Sequence, residues 1–404
     1  MSILVYNEIL DTKAQRAQRQ VLCHNYIKNL INLNKMKEIF SALLLVFILL
    51  SCKTTQNSIS VPSDHKGSLR FIGEQIIPTN TIYDNTKVGG LSSIDYANGK
   101  YYLISDDKKK PVRFYEMDLS FDANGFSNWN IDNVIIIKSN EKFIDPEALR
   151  YDPKTGDFIW TSEGAISKGI SPGINEITKN GNPVKKYTTP KIFEASDNKN
   201  FGPRQNGTFE GLSLDNNPDY LWVGMELPLK QDGEKPKLKK TDSPVRITKI
   251  HRNTAEPVFQ FAYQLDPIPK NSRPPGLFTV NGLSEILAID DMKFIFVERA
   301  YAFGYKDGGN TIKLYLVDAS NATDIKNMNS LKNNEYIPAK KTLLFNFESI
   351  RSKLTDNIVD NIEGITFGPV LPNGHKTLVV VSDNNFSKFS PQLNQIIVFE
   401  LLPD

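Results

Sequence analysis

Acidic residues recur along this chain in closely similar settings. Phe209–Glu226 reads FEGLSLDNNPDYLWVGME: Glu210 opens an apolar run, a polar turn follows, and a second apolar run ends in Glu226. DPEALRYDPKTGDFIWTSEG repeats this with Glu147 and Glu163 at the same 16-residue spacing. NGLSEILAIDDMKFIFVERA supplies Glu285 and Glu298, and NIEGITFGPVLPNGHKTLVVVSDNN supplies Glu363 and Asp383. A divergent copy, GGLSSIDYANGKYYLISDD, has Ser92 where the others have Glu and ends in Asp106 and Asp107. Carboxylates gathered in this number cannot all stay ionised within a few ångströms unless cations lie among them. An oxygen-only donor set without His or Cys suits Ca²⁺ rather than zinc. The metal-ligand candidates are Asp106, Glu147, Glu163, Glu210, Glu226, Glu285, Glu298, Glu363 and Asp383; the first acids Glu147, Glu210, Glu285 and Glu363 are also the catalytic candidates.

Arginines lie close to the same runs. Arg150 follows DPEAL, Arg204 precedes FEGL, Arg273 precedes the NGLSE segment, and Arg299 follows Glu298. Guanidinium groups beside a calcium–carboxylate site suit a phosphate ester, which Arg grips bidentately. Taken singly, each glutamate also reads as a lock between strands and each arginine as the partner of an acid. Other chemistries find less support. His24, His65, His251 and His375 lack ligand spacing, no glycine-rich phosphate loop leads from a strand into a helix, and Ser92 in GGLSS has no placed histidine. A net charge of +2 with scattered lysines argues against a nucleic-acid partner, and Lys108–Lys110 reads as a solvated turn.

The elements that must hold these acids are strands. Each acid-tipped hairpin is followed by one or two more strand-like runs, so each repeat holds about four strands, as a propeller blade does. The last repeat is one strand short. The alternating segment 68–78 (SLRFIGEQIIP) has no partner of its own and can complete that blade, closing the ring and covering two sheet edges. The expectation is an all-β, five-bladed propeller, with a six-bladed ring left open. The long period sits in polar inserts such as Lys230–Ser243, Pro267–Leu277 and Ala319–Tyr336. If each Glu-Gly opens an innermost strand, the first acids meet near the axis.

The N-terminal part stands outside this pattern. After Met36-Lys37-Glu38, the run Ile39–Leu50 is apolar apart from Ser41 and ends at Ser51-Cys52. It is too short to span a bilayer but fits the core of a signal peptide. Residues 36–51 are read as a lipoprotein signal, Cys52 as the acylated residue, and the polar stretch 53–67 as a tether. Residues 1–35 are read as an upstream over-call or an unstructured extension, and 68–404 as the exported domain. The other cysteine, Cys23, lies before the signal, so the domain would have no disulfide and must be held by packing.

Taken in order, GGLSSIDY, SDD at Ser105–Asp107, DPEAL, SEG, FEGLSL, NGLSEI, VERA, IEGITF and VVVSDNN resemble the bacterial phytase-like β-propeller family described as "esterase-like activity of phytase". The resemblance spans residues 89–385. It implies ester hydrolysis, in the first place of phosphate monoesters, with carboxylate-bound calcium. The expected protein is a monomeric lipid-anchored hydrolase of the bacterial envelope, periplasmic or on the outer membrane. Its membrane contact would be made through Cys52. Two alternatives stand beside it: a non-catalytic, calcium-stabilised binder, and a calcium-dependent lactonase or carboxylesterase.

Overall fold

The computed structural model describes residues 69–108, 111–139, 144–387 and 392–402. The signal segment, Cys23, Cys52 and the tether lie outside them. β1 (Leu69–Ile77) comes first, followed by a two-residue hairpin, β2 (Ile82–Tyr83) and β3 (Thr86–Lys87). Five four-stranded antiparallel sheets then follow. Blade 1 is β4 (Leu91–Ala97), β5 (Lys100–Ser105), β6 (Arg113–Asp122) and β7 (Gly125–Ile136). Blade 2 is β8 (Pro146–Tyr151), β9 (Phe158–Ser162), β10 (Gly173–Ile177) and β11 (Pro183–Lys186). Blade 3 is β12 (Phe209–Leu214), β13 (Tyr220–Met225), β14 (Pro244–His251) and β15 (Pro257–Gln264). Blade 4 is β16 (Thr279–Asp290), β17 (Lys293–Ala302), β18 (Asn310–Asp318) and β19 (Lys340–Asn346). Blade 5 takes β20 (Asn361–Phe367), β21 (Thr377–Asp383) and β22 (Asn394–Leu401) from the C-terminal end, and β1 closes it by pairing with β22.

The ring is therefore five-bladed and closed by the N-terminal strand. β1 covers the outer edge of β22, so the blade at the junction of the termini has four strands like the others. Lys191–Phe193 is a 3₁₀ turn, entered through Pro190, which has no N–H for a ladder.

The first strand of each blade is innermost, and successive first strands pack against one another. The space between them is narrow. A Cβ on Gly211 would stand 3.0 Å from the Ile286 amide nitrogen, and one on Gly364 would stand 2.7 Å from that of Ile94. Away from the axis, apolar faces fill the gaps between blades. Trp222 of blade 3 meets Phe261 of its own sheet at 5.7 Å and Phe294 of blade 4 at 5.1 Å, each edge to face. Burying an aromatic side chain of this size stabilises by roughly 2–3 kcal/mol. Apolar packing between blades, aromatic here and largely aliphatic between blades 5 and 1, holds a domain that has no cysteine of its own.

Candidate metal centre in an acid-lined axial cavity

Every innermost strand carries a bulge near its start. Pairing skips a residue between Leu91 and Ser93, Phe209 and Gly211, Leu283 and Glu285, and Ile362 and Gly364, and skips two between Pro146 and Leu149. The residues left out of the ladder are Ser92, Glu147 with Ala148, Glu210, Ser284 and Glu363. A bulge re-aims the extra side chain, and here it frees the acid from the pleat. The same registers align the ends of the second strands as Asp106, Glu163, Glu226, Arg299 and Asp383.

This alignment corrects the reading of blade 4. Glu285 stands at the place of Gly211, Gly364 and Ser93, one residue past the bulge, and Glu298 stands opposite Leu283. Neither lines the cavity. Neighbouring residues of a strand face opposite ways, so a slip of one exchanges the two faces. The bulge and strand-end positions of blade 4 hold Ser284 and Arg299. Glu298 is instead satisfied between strands, accepting from Tyr263 Oη at 2.6 Å, Asp266 N at 3.0 Å and Asn281 Nδ2 at 2.9 Å and pairing with Lys341.

Among the described residues, seven carboxylates, of Asp106, Glu147, Glu163, Glu210, Glu226, Glu363 and Asp383, line one cavity of about 620 Å³ with Lys108 and Arg299 as its cations. All seven are held above the usual carboxylate range, in each case chiefly by burial. Mutual repulsion adds to this at Glu147 and Glu210, which are raised well above it. Glu163 is pushed up to about 7 by burial and the charge of Glu226, against hydrogen bonds from Gly207 N at 2.7 Å and Thr208 N at 2.9 Å. Asp383 is pushed up to about 6 by burial, against a hydrogen bond from Asn385 N. Asp106 and Glu363 are raised well above the usual range, and Glu226 is raised although Arg299 opposes the shift. Burial works against the charge on Arg299, but Glu363, Glu226, Glu210 and Asp383 outweigh it and keep the guanidinium protonated.

Two acid triads have ligand oxygens within 4.8 Å of one another: Asp145, Glu147 and Glu163, and Glu163, Glu210 and Glu226. Glu163 belongs to both. Their donors are hard oxygens, and Asp145 Oδ1 is buried without a hydrogen-bond partner. Among the described residues, no hydrogen bond reaches the Glu210 carboxylate. Buried anions short of donors are what a divalent cation satisfies, so these clusters can hold a metal ion.

The arginines divide. Arg299 lies inside, with Nη2 at 3.1 Å from Glu226 and 3.3 Å from Glu363. Arg150 lies deeper on the axis, paired with Glu285 at 2.8 Å and outside the cavity lining. Arg204 is spent on the carbonyls of Pro228 and Gly233, and Arg273 stacks over Tyr305 at 4.4 Å. Neither lines the cavity, because each sits on a loop insert with a nearer partner.

Several lining or supporting residues escaped the reading of the sequence. Asp145 stands two residues before Glu147, as Asn361 stands two before Glu363; Asn361 Nδ2 donates to Glu363 at 2.9 Å and to Asp383 at 3.3 Å. That shared offset was a usable signal. Lys108 is no idle turn residue: its Nζ is 2.6 Å from Asp145. Phe278, Tyr301 and Phe386 are single residues without a repeat, and no pattern announced them.

A closed ring of five blades with an oxygen-lined cation cavity at its axis defines a β-propeller whose candidate site is a carboxylate metal centre. The chain belongs to the phytase-like family, described as esterase-like activity of phytase, with residues 86–386 matched. No curated protein matches it. Among solved structures it is similar to an endo-arabinase from Bacteroides thetaiotaomicron, at 13% identity and TM-score 0.43 over 81% of this chain and 96% of that one. It is also similar to a GH43 β-1,3-galactosidase, at 11% and 0.40 over 80% and 94%. A third likeness is to a putative glucose dehydrogenase of Thermus thermophilus, at 10% and 0.35 over 83% and 98%.

Proposed function

We propose that this protein is a Ca²⁺-dependent hydrolase of phosphate monoesters, exported and anchored through Cys52. The observation that carries the reading is the excess of buried carboxylates over cations in one cavity, seven against two among the described residues. Such a site repels a phosphate until divalent ions reverse its sign. Membership of a family described by esterase and phytase activity favours phosphate as the anion then admitted.

Asp145, Glu147, Glu163, Glu210 and Glu226 would hold the metal. When bound, Ca²⁺ supplies an activated water and neutralises charge on the transferred phosphoryl group. Arg299, gripped by Glu226 and Glu363, keeps a buried Nε with no partner, a donor for a phosphate oxygen. Water oxygen would bond to phosphorus as the ester P–O bond breaks, one proton of that water passing to a carboxylate of the cavity, and the departing alkoxide would take a proton to leave as the alcohol. Asp106, a buried carboxyl held well above its ordinary range, is suited to hand over that proton.

The test is hydrolysis of 4-nitrophenyl phosphate and inositol hexakisphosphate by purified protein, in EDTA and then with Ca²⁺ restored. Turnover lost to EDTA and regained with Ca²⁺ supports the reading; no turnover in any state sinks it. A second reading, a calcium-stabilised binder, is favoured by one fact: both lining cations are already held by carboxylates. Its sign is a Ca²⁺-dependent rise in Tm without turnover. Anchoring is checked separately: Cys52→Ala should move the protein from the membrane to the soluble fraction of its host and abolish labelling by a fatty acid.

A further inference from the structure

The cavity has two unlike walls. Blades 2 and 3 supply both acid triads, whereas blade 4 interrupts the acid pattern with Ser284 and Arg299 and brings Phe278, Val280 and Tyr301 instead. Phe386 of the β21–β22 loop in blade 5 joins them. Phe278 is 65% exposed, a cost in water that a single surface phenylalanine can carry without meaning. This one, however, lines a cavity and is pinned. Phe303 N donates to Phe278 O at 3.1 Å, Leu277 N donates to Ser272 Oγ at 2.9 Å, and the Tyr301 ring lies 6.0 Å from that of Phe278.

Phe386 is also set with care. Its φ of 45° is one that bulky residues rarely adopt, and such conformations persist only where the surroundings impose them. Its ring lies against Gly90, whose own φ is +60° and where a Cβ would stand 2.5 Å from a ring carbon. The Phe386 ring thus sits beside Asp106, with Lys87 Nζ 5.5 Å from its centroid, and the aromatic surface left open to a ligand is that of Phe278 with Tyr301 on the blade 4 side. By contrast, among the described residues the two cations lining the cavity, Lys108 and Arg299, are both committed to carboxylates.

Resting on the phosphoesterase reading above, we infer that the substrate is a monoester of phosphate with an aromatic or other flat apolar alcohol, its ring held by Phe278 beside Tyr301. The acid wall with its cations takes the phosphoryl group, and the aromatic wall takes the leaving alcohol.

The experiment compares 1-naphthyl phosphate, glycerol 2-phosphate and inositol hexakisphosphate as substrates of the purified full chain in Ca²⁺. The expected kcat/KM for the naphthyl ester exceeds the other two by about 10-fold, the range one or two aromatic contacts supply. Phe278→Ala should raise KM for the naphthyl ester roughly 5–10-fold with kcat little changed and leave glycerol 2-phosphate unaffected, and Phe278→Trp should restore it. Equal losses on both esters, or a preference for inositol hexakisphosphate, overturn the inference while leaving the phosphoesterase reading intact. If no ester is turned over, that reading fails by itself. Fluorescence titration with 1-naphthylphosphonate in Ca²⁺ then decides the aromatic wall: binding weakened by Phe278→Ala upholds it, and binding that is absent or indifferent to the change overturns it.

Discussion

Two buried acid sites lie along the axis of this propeller, built from the same innermost strands a residue or two apart, and they are opposites. At the lower one, Glu285 accepts hydrogen bonds from Leu212 N at 2.8 Å, Ile286 N at 3.0 Å and Ser93 Oγ at 3.0 Å and pairs with Arg150. Arg150 in turn donates to the carbonyls of Ile94, its neighbour Leu149, Ile286 and Ile365. One ion pair thus touches all five blades. Burial pushes the Glu285 carboxyl up to about 7, against the pull of Arg150 and the donated hydrogen bonds. At the upper site, carboxylates face one another across open space, and most of their shifts are reinforced by neighbours of like charge. Where the fold supplies the partners, the acid is a fastener. Where it withholds them, as at Glu210, the acid is left able to take a metal ion.

The comparison breaks first at the fastener. Glu285→Gln or Arg150→Met leaves one buried charge unpaired at the junction of five sheets, which costs about 3–5 kcal/mol. Denaturant melts should show that loss with or without Ca²⁺. In the cavity the same chemical change should act in reverse: Glu210→Gln removes a buried charge that no donor satisfies. Its stability in EDTA should hold or rise, while its Ca²⁺-induced gain in Tm shrinks. Activity should fall at least as far as the 10–100-fold typical of altered outer-shell partners of metals, by roughly 100-fold or more. Equal unfolding by Glu210→Gln and Glu285→Gln would erase the distinction between the two sites.

Proton linkage sharpens it next. Glu163, with a folded value of about 7 against an ordinary 4.5, and Asp383, with about 6 against 3.8, bind protons more tightly when folded. Below the ordinary values both states are protonated and the stabilisation is fully present. As pH rises through about 7 the folded protein must release those protons, so metal-free stability falls, by up to about 1.4 kcal/mol per pH unit for each group. The expected record is a Tm in EDTA that declines from pH 5 to pH 8 and a Tm in Ca²⁺ that does not. A flat profile in EDTA would mean that the cavity acids are not protonated when the metal is gone.

The sequence disclosed the propeller because its signals are periodic: five acid-tipped hairpins and one unpaired strand suffice to count blades and close the ring. It disclosed the acids of blades 1, 2, 3 and 5 for the same reason. Blade 4 slipped by one residue because NGLSEI was aligned on its only acid. Set against GGLSSI, Ser284 falls on Ser92 and Glu285 on Ser93, and the bulge places them so. A bulge adds one residue without changing composition, so periodicity cannot see it. Lys108, Phe278 and Phe386 were hidden for another reason: they come from loops, whose paths no repeat dictates.

The smallest effects belong to the arginines outside the cavity, and they test whether nearness in sequence to an acid ever mattered. Arg273 stacks on Tyr305 at an exposed position, and a cation–π contact of that kind contributes about 0.5–1 kcal/mol. Arg273→Ala should shift Tm by no more than a degree or two and leave kcat/KM unchanged. Arg204 ties Pro228 and Gly233 through hydrogen bonds of 2.9 Å each, so Arg204→Ala should cost somewhat more stability, about 1–2 kcal/mol, again without touching turnover. Arg299→Gln serves as the positive control. It leaves Glu226 and Glu363 without their cation, and should weaken substrate binding while making folding depend more steeply on Ca²⁺. If Arg273→Ala instead matched Arg299→Gln on every phosphate ester, the substrate would have to extend over the rim loop that carries Tyr305, and the cavity alone would not be the site.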